Sequence, residues 1–142
     1  MNSPPTHRIL LADDDPAGAE LTVAALKHLQ PKIDVTIVTD GEETLSFLKQ
    51  RPASELPSLV LLDLKMPKVD GHEVLQEIRS EPGLRALPVV ILTSSDLDSD
   101  RARSQELGCN GYLVKPVSID AFIQDLRRLL NFSLPAGGAD QR

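Results

Sequence analysis

A chain of 142 residues has room for one globular domain with a sizeable core and little beyond it. Hydrophobic residues at 41% and charged residues at 25% exclude wholesale disorder and fibrous repeats. Twenty-one acidic against fifteen basic residues leave a formal charge of -6, which repels a phosphate backbone, so direct nucleic-acid binding is not expected.

In chain order, the apolar run Arg8 to Ala12 (RILLA) predicts a first strand and leaves residues 1–7 as an extension. Asp15 and Pro16 then read as the N-cap and first-turn pair of a helix reaching about His28, before Pro31. Val35 to Val38 predicts the second strand and Gly41 to Gln50 the second helix. Leu59 to Leu62 is the third strand, followed by a helix from Gly71 to Arg79 with Val74, Leu75 and Ile78 on one stripe. Val89 to Leu92 and Tyr112 to Val114 complete five strands. The last three runs lack polar alternation, as strands covered on both faces do.

Between the last two strands, LDSDRARSQEL (Leu97 to Leu107) has few apolar anchors and is the helix expected to move most readily. Ser118 reads as the N-cap of a final helix with Ile119, Phe122, Ile123, Leu126, Leu129 and Leu130 at helical spacing. One domain of these elements is expected over 8–132, with residues 133–142 as a flexible tail. Alternating strands and helices call for an α/β fold, a doubly wound parallel sheet with right-handed crossovers. No apolar run approaches the roughly 20 residues that cross a bilayer, and MNSPPTHR has no signal-like stretch, so a cytoplasmic, membrane-free protein is expected. The single cysteine, Cys109, makes no internal disulfide, and no cluster has zinc-ligand spacing.

In such sheets ligands bind at the carboxyl ends of the strands. The residues there are Asp13 and Asp14 after the first run, Asp63 after the third, Thr93 after the fourth and Lys115 after the fifth. Two carboxylates roughly 5 Å apart repel by about 3 kcal/mol at an effective dielectric near 20. A magnesium ion, which takes oxygen ligands, would offset that, with Lys115 adding a second positive charge. Metal, lysine and hydroxyl around one carboxylate are the set phosphoryl transfer requires, and the carboxylate itself can be the nucleophile. Taken singly, each of these residues has a plainer reading: a solvated turn for the aspartates, a cap for the threonine, a surface charge for the lysine. Their joint placement after four strands favours the functional one.

ILLADDDP, LLDLKMPKVDG, VVILTSS and GYLVKP, in that order, resemble the receiver domain of bacterial two-component response regulators over about residues 7 to 131. The resemblance implies a flavodoxin-like, five-stranded sheet of order 2-1-3-4-5. It implies Asp63 as the phosphoacceptor, Asp13 and Asp14 as Mg2+ ligands, and the backbone carbonyl of Lys65 as a further ligand. It also implies Thr93 as the switch hydroxyl, Tyr112 as the aromatic switch, Lys115 as the phosphate's ion-pair partner, and a cis peptide between Lys115 and Pro116. The phosphoryl donor would be a sensor histidine kinase, with slow self-hydrolysis afterwards and no turnover of an external substrate. No output domain is expected, so a partner or a homodimer would carry the signal. DDDPAGAEL, DGEETLSFL and SEPGLRALPVVILTSSDLDSD resemble regulators paired with phytochrome-type kinases, which often dimerise.

The main rival is an Mg-dependent aspartyl-phosphate phosphohydrolase of the haloacid dehalogenase type, which needs an Asp two positions after the nucleophile; Lys65 stands there. A flavodoxin-like electron carrier is opposed by the acidic loop after the first strand. A degenerate, binding-only receiver is opposed by the full set of acids. Asp70 and Gly71 read as the start of the third helix, Met66 as a packing residue, and His7, His28 and His72 as surface residues. Cys109 reads as an incidental thiol.

Overall fold

The structure is a computed structural model and describes residues 7–30, 32–115 and 119–133. Five strands, β1 (His7–Ala12), β2 (Ile33–Val38), β3 (Leu59–Leu62), β4 (Val89–Thr93) and β5 (Gly111–Val114), form one parallel sheet in the order β2-β1-β3-β4-β5. The helices are α1 (Pro16–Leu29), α2 (Gly41–Lys49), α3 (Gly71–Ser80), α4 (Asp98–Glu106) and α5 (Ile119–Ser133), with a short 3-10 turn at Ala53–Glu55. This is the doubly wound parallel sheet expected from the alternating pattern, in the flavodoxin-like order that the resemblance implies.

Period-2 alternation explains the two cores. Leu10, Val60, Leu62, Val89 and Ile91 point to one face and meet Leu48 of α2 and Val74, Leu75 and Ile78 of α3. Ile9, Leu11, Leu59, Leu61, Val90 and Leu92 point to the other and meet Ala19, Ala25 and Leu26 of α1 and Phe122 and Leu126 of α5. Every residue of β3 and β4 is buried, which is why those runs carry no polar alternation.

Some boundaries differ from expectation. β1 begins at His7, within the expected extension, because His7 and Arg8 pair with Ile33 and Asp34, which also start β2 two residues before Val35. On an edge strand Asp34 stays exposed, so its polarity concealed the strand. Helix α5 continues through Ser133. Asp15 occupies the N-cap of α1, but its side chain makes no capping bond; instead its backbone N–H donates to Asp13 Oδ1 at 3.0 Å. The Lys115–Pro116 peptide, the Ser118 cap and residues 134–142 lie outside the described residues.

Arg79, at the end of α3, ties together two connections, the one from α3 to β4 and the one from α4 to β5. Its guanidinium donates to the carbonyls of Gly108 (2.8 and 2.9 Å), Arg85 (3.1 Å) and Leu87 (2.7 Å) and to Asn110 Oδ1 (2.9 Å). A planar fork makes this set and an ammonium cannot. Arg79→Ala is expected to lower unfolding free energy by about 2 kcal/mol, with Arg79→Lys recovering less than half, read from urea midpoints at constant m-value.

Candidate functional site

β1 and β3 are neighbours paired through Ala12 and Leu62, so the next residue on each strand, Asp13 and Asp63, ends on the same rim. The ladder continues past both strands: Asp63 N–H donates to Ala12 O and Asp13 N–H to Val38 O, each at 3.0 Å. Both carboxylates are almost wholly buried, at 2% and 6% exposure, whereas Asp14 is exposed. One carboxylate oxygen from each of the three lies within 4.8 Å of the others.

Lys115 reaches the same point from β5, held by its N–H to Thr93 O at 2.8 Å. Its ammonium donates to Asp13 Oδ2 at 2.8 Å and Asp63 Oδ2 at 3.3 Å. Burial opposes the charge on Lys115, but the hydrogen bond to Asp13 and the charges of Asp63 and Asp13 outweigh it and raise its pKa above the ordinary lysine value. The remaining oxygens also have donors: Asp13 Oδ1 takes Asp15 N–H, and Asp63 Oδ1 takes Lys65 N–H at 3.1 Å. Lys65 thus brings its main chain to the site and leaves its side chain exposed.

Residues 63–71 are clamped by two close approaches. Gly71 opens α3 directly against Asp63 and Leu64, its N–H donating to Leu64 O at 3.1 Å. Gly41 opens α2 against the carbonyl of Val69. A capping box at Asp70 and Glu73 starts α3, so Asp70 serves structure as expected, and Met66 packs into the core.

Thr93 is fully buried at the end of β4, and its hydroxyl accepts Ser95 N–H at 3.4 Å. Tyr112, opposite Ile91 across the β4–β5 ladder, is half-buried; its hydroxyl donates to Ser95 O at 2.9 Å rather than reaching the carboxylates. The Arg101 guanidinium sits over its ring, 4.5 Å from the centroid. His72 is not the surface residue expected: Nε2 lies 3.0 Å from Ser104 Oγ and 3.3 Å from Asp100 O, joining α3 to α4. Sequence spacing carries no signal for a polar bond between two helices, so Asp100 and Ser104 could not be singled out, nor could Ser95, whose bond to Asp100 needs the turn between β4 and α4. Burial pushes the Cys109 thiol pKa up, against a reactive thiolate.

Two buried carboxylates that share one ammonium, with an exposed third beside them, leave net negative charge at a rim open to solvent on the Asp14 side. The donor set is all oxygen, with Asp13, Asp14 and Asp63 near enough for a common ion, which fits a hard divalent cation.

This rim on this sheet order is that of a phosphoacceptor signalling domain, and residues 9–127 match the family described as the response regulator receiver domain. The chain belongs to that family, whose receivers take phosphoryl groups from sensor histidine kinases. It is similar to the response regulator Rcp1 of Synechocystis sp. (strain ATCC 27184 / PCC 6803 / Kazusa), at 37% identity over 93% of this chain and 92% of that one. The Mn2+-bound form of Rcp1 superimposes with a TM-score of 0.80 at 36% identity, covering 91% and 95% of the two chains. The phosphorylated cyanobacterial phytochrome response regulator RcpA gives 0.83 at 35% identity over 91% and 94%. The bacteriophytochrome response regulator RtBRR gives 0.72 at 43% identity over 87% and 77%. Among the described residues no helix is long and apolar enough to cross a membrane.

Proposed function

We propose that Asp63 accepts a phosphoryl group from a phosphohistidine of a sensor histidine kinase. The N–P bond to the imidazole breaks as an O–P bond to an Asp63 carboxylate oxygen forms. The observation that carries this reading is the convergence of Asp13, Asp14 and Asp63 oxygens within 4.8 Å, with Lys115 bonded to two of them. Asp13, Asp14, Asp63 and the backbone carbonyl of Lys65 would hold Mg2+, which when bound neutralises charge on the transferred group. Lys115 stays beside the acceptor as the fixed positive charge, and the strand ladders hold Asp63 in place, so the site acts by positioning.

The phosphoryl group adds about -1.5 to -2 charges and three acceptor oxygens, by analogy with other phosphorylated side chains. Thr93 then turns its hydroxyl from Ser95 N–H toward a phosphoryl oxygen, and Tyr112 follows inward. Hydrolysis of the acyl phosphate resets the domain. The hydrolase alternative is disfavoured because the exposed Lys65 stands where its acid would be.

Likeness to RcpA and RtBRR, both named as phytochrome response regulators, supports a phytochrome-type kinase as donor; a cytoplasmic setting and a homodimer as the signalling form complete the proposal. Incubation with a small acyl phosphate and Mg2+, followed by intact mass measurement, is expected to add one phosphoryl group to wild type and none to Asp63→Asn. An unmodified wild type would overturn the acceptor role. Gel filtration of both forms tests the dimer.

A further inference from the structure

Helix α4 is held to the domain by polar bonds more than by apolar burial. Ser104 is its sole buried residue, and the large apolar side chain just before it, Leu97, is 57% exposed. Four contacts retain the helix. His72 Nε2 meets Ser104 Oγ and Asp100 O, Asp100 Oδ2 accepts from Ser95 Oγ at 2.5 Å, and Arg101 covers Tyr112. Asp100 is therefore pinned twice, by its main chain to α3 and by its side chain to the loop leaving β4.

Ser95 is the other half of this joint. Its N–H is on the Thr93 hydroxyl, its carbonyl is on the Tyr112 hydroxyl, and its own hydroxyl is on Asp100. The two side chains proposed to move on phosphorylation are the two that fix the Ser95 main chain. When Thr93 and Tyr112 leave, Ser95 loses both restraints, and its bond to Asp100 is the connection through which α4 registers the change. His72 stands on α3, whose apolar stripe is buried and whose start is capped, so that contact stays while the other yields.

We propose that Asp100 is a positioning residue. Through Ser95 it holds α4 in the unphosphorylated arrangement, and phosphorylation releases this bond so that α4 pivots about His72. This rests on Asp63 being the phosphoacceptor. A group that holds the unphosphorylated arrangement lowers the population of the arrangement that phosphorylation favours, and so slows phosphoryl transfer that proceeds through it.

The test uses the full chain, a small acyl phosphate and Mg2+, with intact mass for adduct formation and hydrogen exchange for residues 98–106. Asp100→Ala is expected to gain the phosphoryl group about threefold to tenfold faster than wild type, the range set by the net worth of one hydrogen bond. Before phosphorylation its α4 amides should already exchange at the rate wild type reaches after it. Ser95→Ala should do the same, and the double variant should add nothing to either single one. Asp100→Asn, whose amide oxygen still accepts from Ser95, should restore wild-type rates. A merely structural weakening would slow or leave unchanged the phosphorylation rate and would be additive. Equal rates in all variants, or additive effects, overturn this inference alone; no adduct on wild type overturns the acceptor reading and this one with it.

Discussion

Lys115→Ala is expected to destabilise the metal-free protein by about 2–3 kcal/mol and to make its stability respond steeply to Mg2+. The substitution leaves Asp13 and Asp63 buried side by side without their shared ammonium, and breaking such a pair strands charge in a poorly solvated place. Water reaching the open rim keeps the loss below the value for a fully enclosed pair. An oxygen-seeking cation then no longer competes with an ammonium for Asp13 Oδ2 and Asp63 Oδ2. Mg2+ affinity is expected to rise about tenfold, the scale of one unit charge removed a few ångströms away. Phosphoryl transfer moves the opposite way, falling about a hundredfold, because the charge that remains beside the acceptor is gone. Urea titrations with and without Mg2+, calorimetric Mg2+ titration and adduct rates read the three effects. A variant with wild-type stability in metal-free buffer would show that Lys115 does not neutralise the pair.

Gly41→Ala should cost about 3 kcal/mol and slow phosphorylation even in the folded fraction. A Cβ at Gly41 would stand 1.8 Å from Val69 O and 2.6 Å from Val69 C, and both are backbone atoms, so a helix start or the 63–71 loop must move by over about an ångström. That loop carries the acceptor. Gly71→Ala meets a related obstacle, with Asp63 O at 2.5 Å and Leu64 Cα at 2.6 Å. Gly83→Ala, with nothing within 4 Å of its Cβ, is the control and should stay within about 0.5 kcal/mol of wild type. Denaturant midpoints rank the three; a neutral Gly41→Ala would mean the loop tolerates displacement.

The sheet and its rim were legible because both depend on patterns local to each strand. β3 and β4 read clearly as uninterrupted Val, Ile and Leu, and the residue after each apolar run lands on the rim whatever the loops do. The start of β2 was hidden because Asp34 faces solvent on an edge. Asp15 sat at a helix start without capping it, since Asp13 takes its N–H. The bonds of His72 to Asp100 and Ser104 were invisible, because partners 28 and 32 positions apart leave no periodic trace, and the bond of Ser95 to Asp100 depends on a turn that apolar patterning does not mark. Tyr112 is singled out only by the resemblance, whereas its bond to Ser95 O and its cover by Arg101 needed coordinates.

Burial across the sheet is uneven: β3 and β4 are covered throughout, while every residue of β5 is half-exposed. Asp63 follows a stiff inner strand, whereas Tyr112 lies on a compliant outer one and Lys115 follows it. Mechanical response is therefore divided by position in the sheet, so that a phosphoryl group on Asp63, as proposed, would deform the periphery and not the platform that bears it.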